Sequence, residues 1–91
     1  MLEDLEMVLQ TRRSADPSES YTARLLGDSE LSQRKVMEEA FEFCLELGRS
    51  ETARQQVAEE AADLVYHLLV GLVSVDVPLR EVYAVLEDRR S

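Results

Sequence analysis

The sequence is poor in residues that break helices or cross-link chains. Its 91 residues include three glycines, two prolines, one cysteine and no tryptophan. A single cysteine, Cys44, excludes an internal disulfide and is typical of a reducing compartment, so we predict a cytoplasmic location. Glycine and proline occur at short breaks, and apolar residues do not alternate with polar ones. This pattern favours one all-α domain over residues 1–91.

Basic residues and long apolar runs are also scarce. Ten lysines and arginines stand against 19 acidic residues, for a formal net charge of −9. That excess argues against binding to nucleic acid or to anionic lipid. The longest apolar segment, LVYHLLVGLVSV, is too short to span a bilayer, and the acidic start MLEDLEMVL does not resemble a signal peptide. We therefore expect no nucleic-acid partner and no membrane.

What the chain does contain is a series of amphipathic segments. The spacing of apolar residues predicts five helices, over about residues 2–13, 21–26, 30–47, 51–74 and 79–88. Ser20 is the predicted N-cap of the second helix, and Gly48 is expected to end the third in a left-handed conformation. The short connection GRSE predicts that the third and fourth helices form an antiparallel hairpin, on which a small helical bundle is built.

The predicted core lies along both helices of this hairpin. On the third helix the apolar stripe comprises Val36, Ala40, Phe43 and Leu47, with Cys44 beside it. On the fourth it comprises Val57, Ala61, Leu64, Leu68 and Leu72, as core or as subunit interface, and the last helix is expected to bury Leu79, Val82, Tyr83 and Leu86. Apolar residues make up 45% of the chain, so association of subunits would hide surface that so small a domain leaves open.

Two pairs of acidic residues border these stripes. Glu39 and Glu42 lie on the third helix, and Glu60 and Asp63 on the fourth. Acidic residues three apart project to the same side of a helix, although such pairs are no more frequent in this chain than chance predicts. Four carboxylates in one volume need protons, basic side chains or a cation to neutralise them. Oxygen ligands favour Mg²⁺ or Mn²⁺, and a solvated acidic rim is the alternative.

The acids also follow a recognisable order. E-E-x-x-E (Glu38, Glu39, Glu42) followed by E-x-x-D (Glu60, Asp63) resembles the signature of the all-α NTP pyrophosphohydrolase superfamily. Within it, the segments ADPSESYTARLL, KVMEEAFE and EEAADLVYHLLVGL are similar to the phosphoribosyl-ATP pyrophosphohydrolase family, which has glycine where Met37 stands. With the first and last helices, the resemblance covers nearly the whole chain.

This resemblance implies both an assembly and a reaction. It implies a homodimer in which dimerisation completes the bundle and the active sites lie near subunit contacts. The implied reaction is hydrolysis of phosphoribosyl-ATP to phosphoribosyl-AMP and pyrophosphate, the second step of histidine biosynthesis. Water would attack in line and cleave the link between the α and β phosphorus atoms, with Mg²⁺ or Mn²⁺ held by the four predicted metal ligands: Glu39, Glu42, Glu60 and Asp63.

Other residues receive roles around that metal. Glu38 is the candidate general base, and Glu59 is a less favoured candidate that would otherwise support the ligands. Lys35 lies one turn from Glu39 and is expected to meet a phosphate oxygen.

The resemblance also places near the substrate four residues of the second predicted helix and its cap, namely Ser20, Tyr21, Thr22 and Arg24. The planar guanidinium of Arg24 suits phosphate best, while a serine cap and a short amphipathic turn would explain most of the others without a ligand. His67, four residues after Asp63, is expected to orient that carboxylate, and a local hydrogen bond is the alternative.

Two other functions are compatible with the sequence. Because the carboxylate signature is shared across the superfamily, the chain could be a house-cleaning pyrophosphohydrolase of non-standard or deoxynucleoside triphosphates. A function of another class is a non-catalytic helical adaptor, whose acids would only keep the domain in solution.

Overall fold

The structure, a computed structural model, describes residues 1–90. In that range the chain forms one short 3-10 helix, Arg12–Ser14, and otherwise α-helices joined by turns, with no strand. The α-helices are α1 (Leu2–Thr11), α2 (Tyr21–Leu26), α3 (Ser29–Leu47), α4 (Arg54–Ser74) and α5 (Leu79–Arg90). The prediction of an all-α fold is confirmed.

Side-chain caps start α2 and α3. Ser20 is the N-cap of α2, as predicted, and its Oγ accepts a hydrogen bond from the Ala23 amide at 3.1 Å. Asp28 does the same for α3, where it accepts from the Leu31 amide at 3.0 Å. Each cap satisfies an amide that has no partner inside its helix. The two caps therefore fix where α2 and α3 begin.

Two predicted helix ends are wrong. Gly48 has φ −85° and is right-handed, because its amide continues the helical pattern by bonding to the Cys44 carbonyl at 3.1 Å. The fourth helix begins at Arg54, three residues later than predicted, since residues 50–53 are used to reverse the chain. The left-handed residue is Asp76, with φ 60°, in the turn between α4 and α5.

The buried core surrounds the second half of α4. Leu69, Val70 and Val73 of α4 pack with Leu9 of α1, Leu25 of α2 and Leu79 of α5, and each of these six side chains is at most 5% exposed. Burying an aliphatic side chain of this size contributes about 2 kcal/mol. Three helices thus cover one half of α4.

The other half of the hairpin is only thinly covered. The prediction that Leu47 and Leu86 are core residues is wrong, since they are 61% and 56% exposed, while Leu68, predicted as core or subunit interface, is 47% exposed. Cys44 and Tyr83 are exposed as well. The reason is that α1 and α2 pack on the second half of α4, so α3 keeps an apolar outer side without a covering layer from the described chain.

Distant polar contacts hold the corner between α4 and α5, which are bent by 113°. Glu6 of α1 accepts a hydrogen bond from the Leu79 amide at 2.7 Å, which places a carboxylate at the N-terminus of α5. Arg13 donates to the Val73 carbonyl at the C-terminal end of α4 and pairs with Asp76 at 2.7 Å. Within residues 1–90, no helix is by itself long and apolar enough to cross a membrane, although α4 and α5 together, as a bent pair, reach that length and composition.

The extensive contact between α3 and α4 positions the acids. Phe43, late in α3, shares a groove with Val57 and Ala61 early in α4, whereas Val36, early in α3, shares one with Leu68 late in α4. This order is the one expected of helices that run in opposite directions. It sets the middle of α3 against the first half of α4.

Candidate active site

Three carboxylates meet between α3 and α4. Glu39 and Glu42 come from successive turns of α3 and Glu60 comes from α4, and one oxygen of each lies within 4.8 Å of the others. Glu39 is 8% exposed, and the other two side chains are half-buried. The structure therefore brings together three of the four predicted metal ligands, at the edge of the α3–α4 contact.

Two oxygens of this cluster are buried without a partner. Oε2 of Glu39 and Oε2 of Glu60 have no hydrogen-bond partner among residues 1–90. A charged oxygen removed from water in this way is costly unless a proton or a cation satisfies it. Glu46, seven residues after Glu39 and also 8% exposed, shows the opposite case. Its two oxygens bind the Arg49 guanidinium at 2.8 and 3.2 Å.

Burial and crowding both act on the protonation of the cluster. Removal from water raises the pKa of Glu42, and the negative charges of Glu39 and Glu38 raise it further. The pKa of Glu60 is also raised, first by burial and then by the charges of Glu42 and Asp63. A bound cation would reverse these effects, because it favours the charged form. The site is thus a cluster of carboxylate oxygens whose negative charges act on one another.

Asp63 and Glu59 lie outside the cluster of converging oxygens. Both are exposed, and Asp63 stands one turn after Glu60 on α4. Its charge still reaches the site, since it raises the pKa of Glu60. Asp63 therefore lies close enough to act on the cluster electrostatically, while its predicted role as a metal ligand stays a prediction.

Lys35 and Glu38 form an ion pair at the edge of the cluster. The Lys35 Nζ lies 3.4 Å from the Glu38 Oε2. The hydrogen bond and the charge of Glu38 raise the pKa of Lys35, with smaller contributions from Tyr21 and Glu39. Lys35 is thus a stable cation beside the acids. The Glu38 side chain is 51% exposed, so it can be reached by water.

His67 does not bond to the Asp63 carboxylate as expected, because both ring nitrogens bond elsewhere. Nδ1 lies 2.8 Å from the Asp63 carbonyl oxygen, and Nε2 lies 3.2 Å from the Tyr21 hydroxyl. A helical side chain leans back over the preceding turn, where the carbonyl of the residue four positions earlier is the nearest acceptor. The Arg24 guanidinium lies over the Tyr21 ring, 5.6 Å from its centroid, as a cation–π contact.

Ser20 and Thr22 have structural partners. Ser20 caps α2, and the Thr22 hydroxyl forms a hydrogen bond with the Tyr66 hydroxyl of α4. These contacts agree with the alternative that needs no ligand. Neither Tyr66 nor the Glu46–Arg49 pair was predicted from the sequence. Opposite charges three residues apart on a helix would have predicted the ion pair.

The helical fold and the carboxylate cluster place the chain in the class of the all-α nucleotide pyrophosphohydrolases. The family model described as phosphoribosyl-ATP pyrophosphohydrolase matches residues 2–90, so the chain belongs to that family, and the resemblance noted in the sequence is confirmed. The chain is 48% identical over 90 residues to a phosphoribosyl-ATP pyrophosphatase of Cereibacter sphaeroides, covering 98% of this chain and 85% of that protein.

Proteins with the same name in other organisms are also similar to this chain. The chain is 41% identical over 93 residues to the phosphoribosyl-ATP pyrophosphatase of Halobacterium salinarum, covering 98% of this chain and 96% of that protein. It is 46% identical over 92 residues to that of Magnetococcus marinus, covering 98% of this chain but 36% of that longer protein. The similarity to these relatives thus extends over nearly all of the described helices.

Proposed function

We propose that this chain hydrolyses phosphoribosyl-ATP to phosphoribosyl-AMP and pyrophosphate, the second step of histidine biosynthesis. Its family and the names of its relatives support this assignment. The observation that carries it is the buried Oε2 of Glu39, which has no partner among residues 1–90 although two other carboxylates lie within 4.8 Å. A structural acid would be paired, as Glu46 is. An acid that serves a cation is left open for it.

The cluster fits a hard divalent cation, Mg²⁺ or Mn²⁺. Its donors are all carboxylate oxygens, and we assign Glu39, Glu42 and Glu60 as ligands, with Asp63 as a fourth from the next turn of α4. When bound, such an ion neutralises negative charge that develops on the phosphate oxygens. The remaining positions of Mg²⁺ are usually taken by water and phosphate, which suits a triphosphate substrate.

The ion pair beside the cluster supplies acid–base chemistry. We assign Glu38 as the general base that takes a proton from the attacking water, with Glu59 as a supporting acid. Its partner Lys35 is held as a cation, so it can turn to a phosphate oxygen when the substrate arrives. The same move would free the Glu38 carboxylate to accept the proton.

The α2 face is assigned to the rest of the substrate. Arg24 and Tyr21 are exposed side chains beside the carboxylate end of the hairpin and can meet a phosphate and a sugar or base, respectively. Ser20 and Thr22 contribute by fixing α2, through the cap and through the bond to Tyr66. The nucleotide is the only partner assigned to this face.

The functional unit we propose is a homodimer. A folded monomer of 10.4 kDa should expose about 5,400 Å², whereas this chain exposes 6654 Å². The excess, on the order of 1,200 Å², exceeds the roughly 800 Å² that each partner buries in a standard interface. Its Cα radius of gyration is 14.6 Å, against about 12 Å for a compact chain of this length.

The surface that a second copy would cover is apolar. Met37, Phe41 and Leu45 follow one another at four-residue spacing on the outer side of α3 and are 72%, 63% and 55% exposed. Beside them, a groove of about 460 Å³ is lined by apolar residues of α3, α4 and α5, including Leu68, Leu72 and Val82. We call the three exposed α3 residues the outer α3 patch.

Pyrophosphate release from phosphoribosyl-ATP tests the assignment, with Glu46→Gln as the matched control for Glu39→Gln. Both residues are 8% exposed glutamates of α3, but only Glu39 belongs to the carboxylate cluster. Glu39→Gln should lower kcat by at least about 100-fold and abolish the rise in Tm that Mg²⁺ gives the parent. Glu46→Gln should lower Tm through the lost Arg49 bonds and keep both kcat and the Mg²⁺ response.

A panel of deoxynucleoside triphosphates completes that experiment. Activity on the panel without activity on phosphoribosyl-ATP would reject the assignment in favour of a house-cleaning enzyme. If the two glutamine variants have equal kcat values and equal Mg²⁺ responses, the carboxylate cluster takes no part in the reaction. We also place the reaction in the cytoplasm, where an exposed free cysteine such as Cys44 stays reduced.

A further inference from the structure

His67 and Tyr21 form a hydrogen-bonded pair that the assignments above do not explain. His67 is 7% exposed, and its ring makes edge contacts with Tyr21 and Tyr66, at centroid distances of 6.1 and 4.9 Å. Tyr21 is 42% exposed, so a ligand can still reach it. A buried histidine is therefore used to hold an accessible tyrosine.

The contacts of His67 fix the direction of this hydrogen bond. A main-chain carbonyl can only accept, so Nδ1 must donate to the Asp63 carbonyl oxygen at 2.8 Å. In the neutral imidazole, Nε2 then carries no hydrogen and is an acceptor. The Tyr21 hydroxyl, 3.2 Å away, consequently donates its one hydrogen to Nε2. Its oxygen keeps lone pairs but has no hydrogen left to donate.

We propose that Tyr21 is a specificity-determining residue that accepts a hydrogen bond from a hydroxyl or amino group on the nucleoside side of the substrate, with His67 as its positioning residue. This inference rests on the proposed function. An ionised phosphate has no hydrogen to donate, so a tyrosine that can only accept gains nothing from the triphosphate. Sugar hydroxyls are donors, and the phosphoribosyl group adds them to ATP.

The position of the pair supports a role at the nucleoside end. His67 stands seven positions after Glu60 on α4, a rise of about 10 Å along the helix axis, so the residue that holds the Tyr21 hydroxyl belongs to a different turn from the carboxylate cluster. Arg24 lies over the ring of Tyr21, which restrains the tyrosine from a second side. The hydrogen bond to the Asp63 carbonyl holds His67 against the turn of α4 that carries the Asp63 carboxylate. The α4 backbone thereby sets the spacing between the two ends of the site.

Two tyrosine-to-phenylalanine changes form a matched test. Tyr21→Phe removes the proposed acceptor, whereas Tyr66→Phe removes a neighbouring α2–α4 hydrogen bond, to Thr22, without touching the Tyr21 hydroxyl. Tyr21→Phe should raise the KM for phosphoribosyl-ATP about tenfold with little change in kcat. Tyr66→Phe, which loosens α2 but keeps the Tyr21 hydroxyl, should lower Tm and raise KM by no more than about twofold.

Inorganic tripolyphosphate, used as a competitive inhibitor, separates sugar recognition from phosphate binding. Its inhibition constant should stay within about twofold in Tyr21→Phe, because it carries no sugar or amine donor. An equal weakening of tripolyphosphate and of substrate would overturn the proposal. ATP used in the same way locates the donor: weakened ATP binding places it on the ATP portion, and unchanged ATP binding places it on the added ribose.

Variants of His67 test the positioning role. His67→Leu should reproduce the KM of Tyr21→Phe, and the double variant should be no worse than either single one, since both remove the same interaction. His67→Gln, which keeps an acceptor for the hydroxyl, should restore most of the lost affinity. Effects that multiply in the double variant would contradict the coupling.

The failures remain distinguishable. A parent that does not hydrolyse phosphoribosyl-ATP disproves the proposed function itself. A parent that hydrolyses it, with an unchanged KM in Tyr21→Phe, disproves this inference alone. If His67→Leu does not fold, the partly exposed Tyr21→Phe change still decides the question.

Discussion

The two halves of α4 differ in sequence as well as in surroundings, because the first half is rich in charged and polar residues and the second half is mostly apolar. In the second half, Leu69, Val70 and Val73 are at most 3% exposed, because α1, α2 and α5 contribute to one core around them. In the first half, the chain supplies α3 as the main neighbour, and here the carboxylates meet beside exposed apolar side chains. The covered half provides the stability, and the open half carries the carboxylate cluster that we propose as the active site.

Electrostatics separates the two halves as sharply as packing does. In the covered half, charged groups are matched to helix ends, as Glu6 is at the start of α5 and Arg13 at the end of α4. In the open half, Glu39 and Glu60 keep buried oxygens without partners among residues 1–90. This contrast supports the proposal that the open half binds a ligand.

The largest expected effect on stability comes from the covered half. Leu25 is fully buried in the core, whereas Leu47 is 61% exposed at the end of α3. Leu25→Ala should lower the free energy of unfolding by roughly 2–5 kcal/mol through lost burial and a cavity. Leu47→Ala should cost about 0.5 kcal/mol or less. Denaturant unfolding of both variants measures the difference, and similar losses would mean that the two halves are equally packed.

Local signals in the sequence sufficed for the helices and for part of the site. The Ser20 cap depends on residues within one turn, and the approach of Glu39 and Glu42 to Glu60 follows from helical spacing plus a short connection. Which faces of the helices are buried depends on contacts such as Glu6 with Leu79, 73 residues apart, which no local pattern encodes. For that reason Leu47 was wrongly placed in the core.

His67 shows a different limit. Its spacing from Asp63 correctly indicated a contact between the two residues, but spacing does not tell a carboxylate from the carbonyl of the same residue. Its second partner, Tyr21, comes from another helix, 46 residues earlier. Helical periodicity predicts which turns meet, and the atoms that bond depend on packing between helices.

The second prediction asks whether a second copy covers the open half. Phe41 is 63% exposed in the outer α3 patch, and Met7 of α1 is 67% exposed beside the covered half. Phe41→Asp should shift the molecular mass in solution from dimer to monomer, because a charge in an apolar interface loses its hydration. Met7→Asp, an equally exposed apolar residue changed in the same way, should leave the mass unchanged. If both variants dissociate, or if neither does, the outer α3 patch is not the dimer interface.

The smallest expected effect is the pH dependence of stability in metal-free protein. Folding raises the pKa of Glu42 and of Glu60 above 4.5, so between that value and the raised ones the folded state binds more protons than the unfolded state. Stability contributed by these groups therefore falls as pH rises through this window. Glu3 and Asp16, whose pKa values are lowered, act in the opposite direction, but only as pH falls below 4.5.

Thermal melts of the parent and of Glu42→Gln, from about pH 5 to about pH 7 in the presence of a chelator, isolate that contribution. The parent should lose Tm relative to Glu42→Gln as pH rises, because the charged cluster is then fully repulsive. Saturating Mg²⁺ should reverse the trend in the parent, since a cation binds the deprotonated carboxylates and competes with protons. The difference in Tm between the two proteins could instead be independent of pH and of Mg²⁺. The carboxylates of the open half would then be solvated surface acids, and the surroundings of the two halves of α4 would differ only in packing.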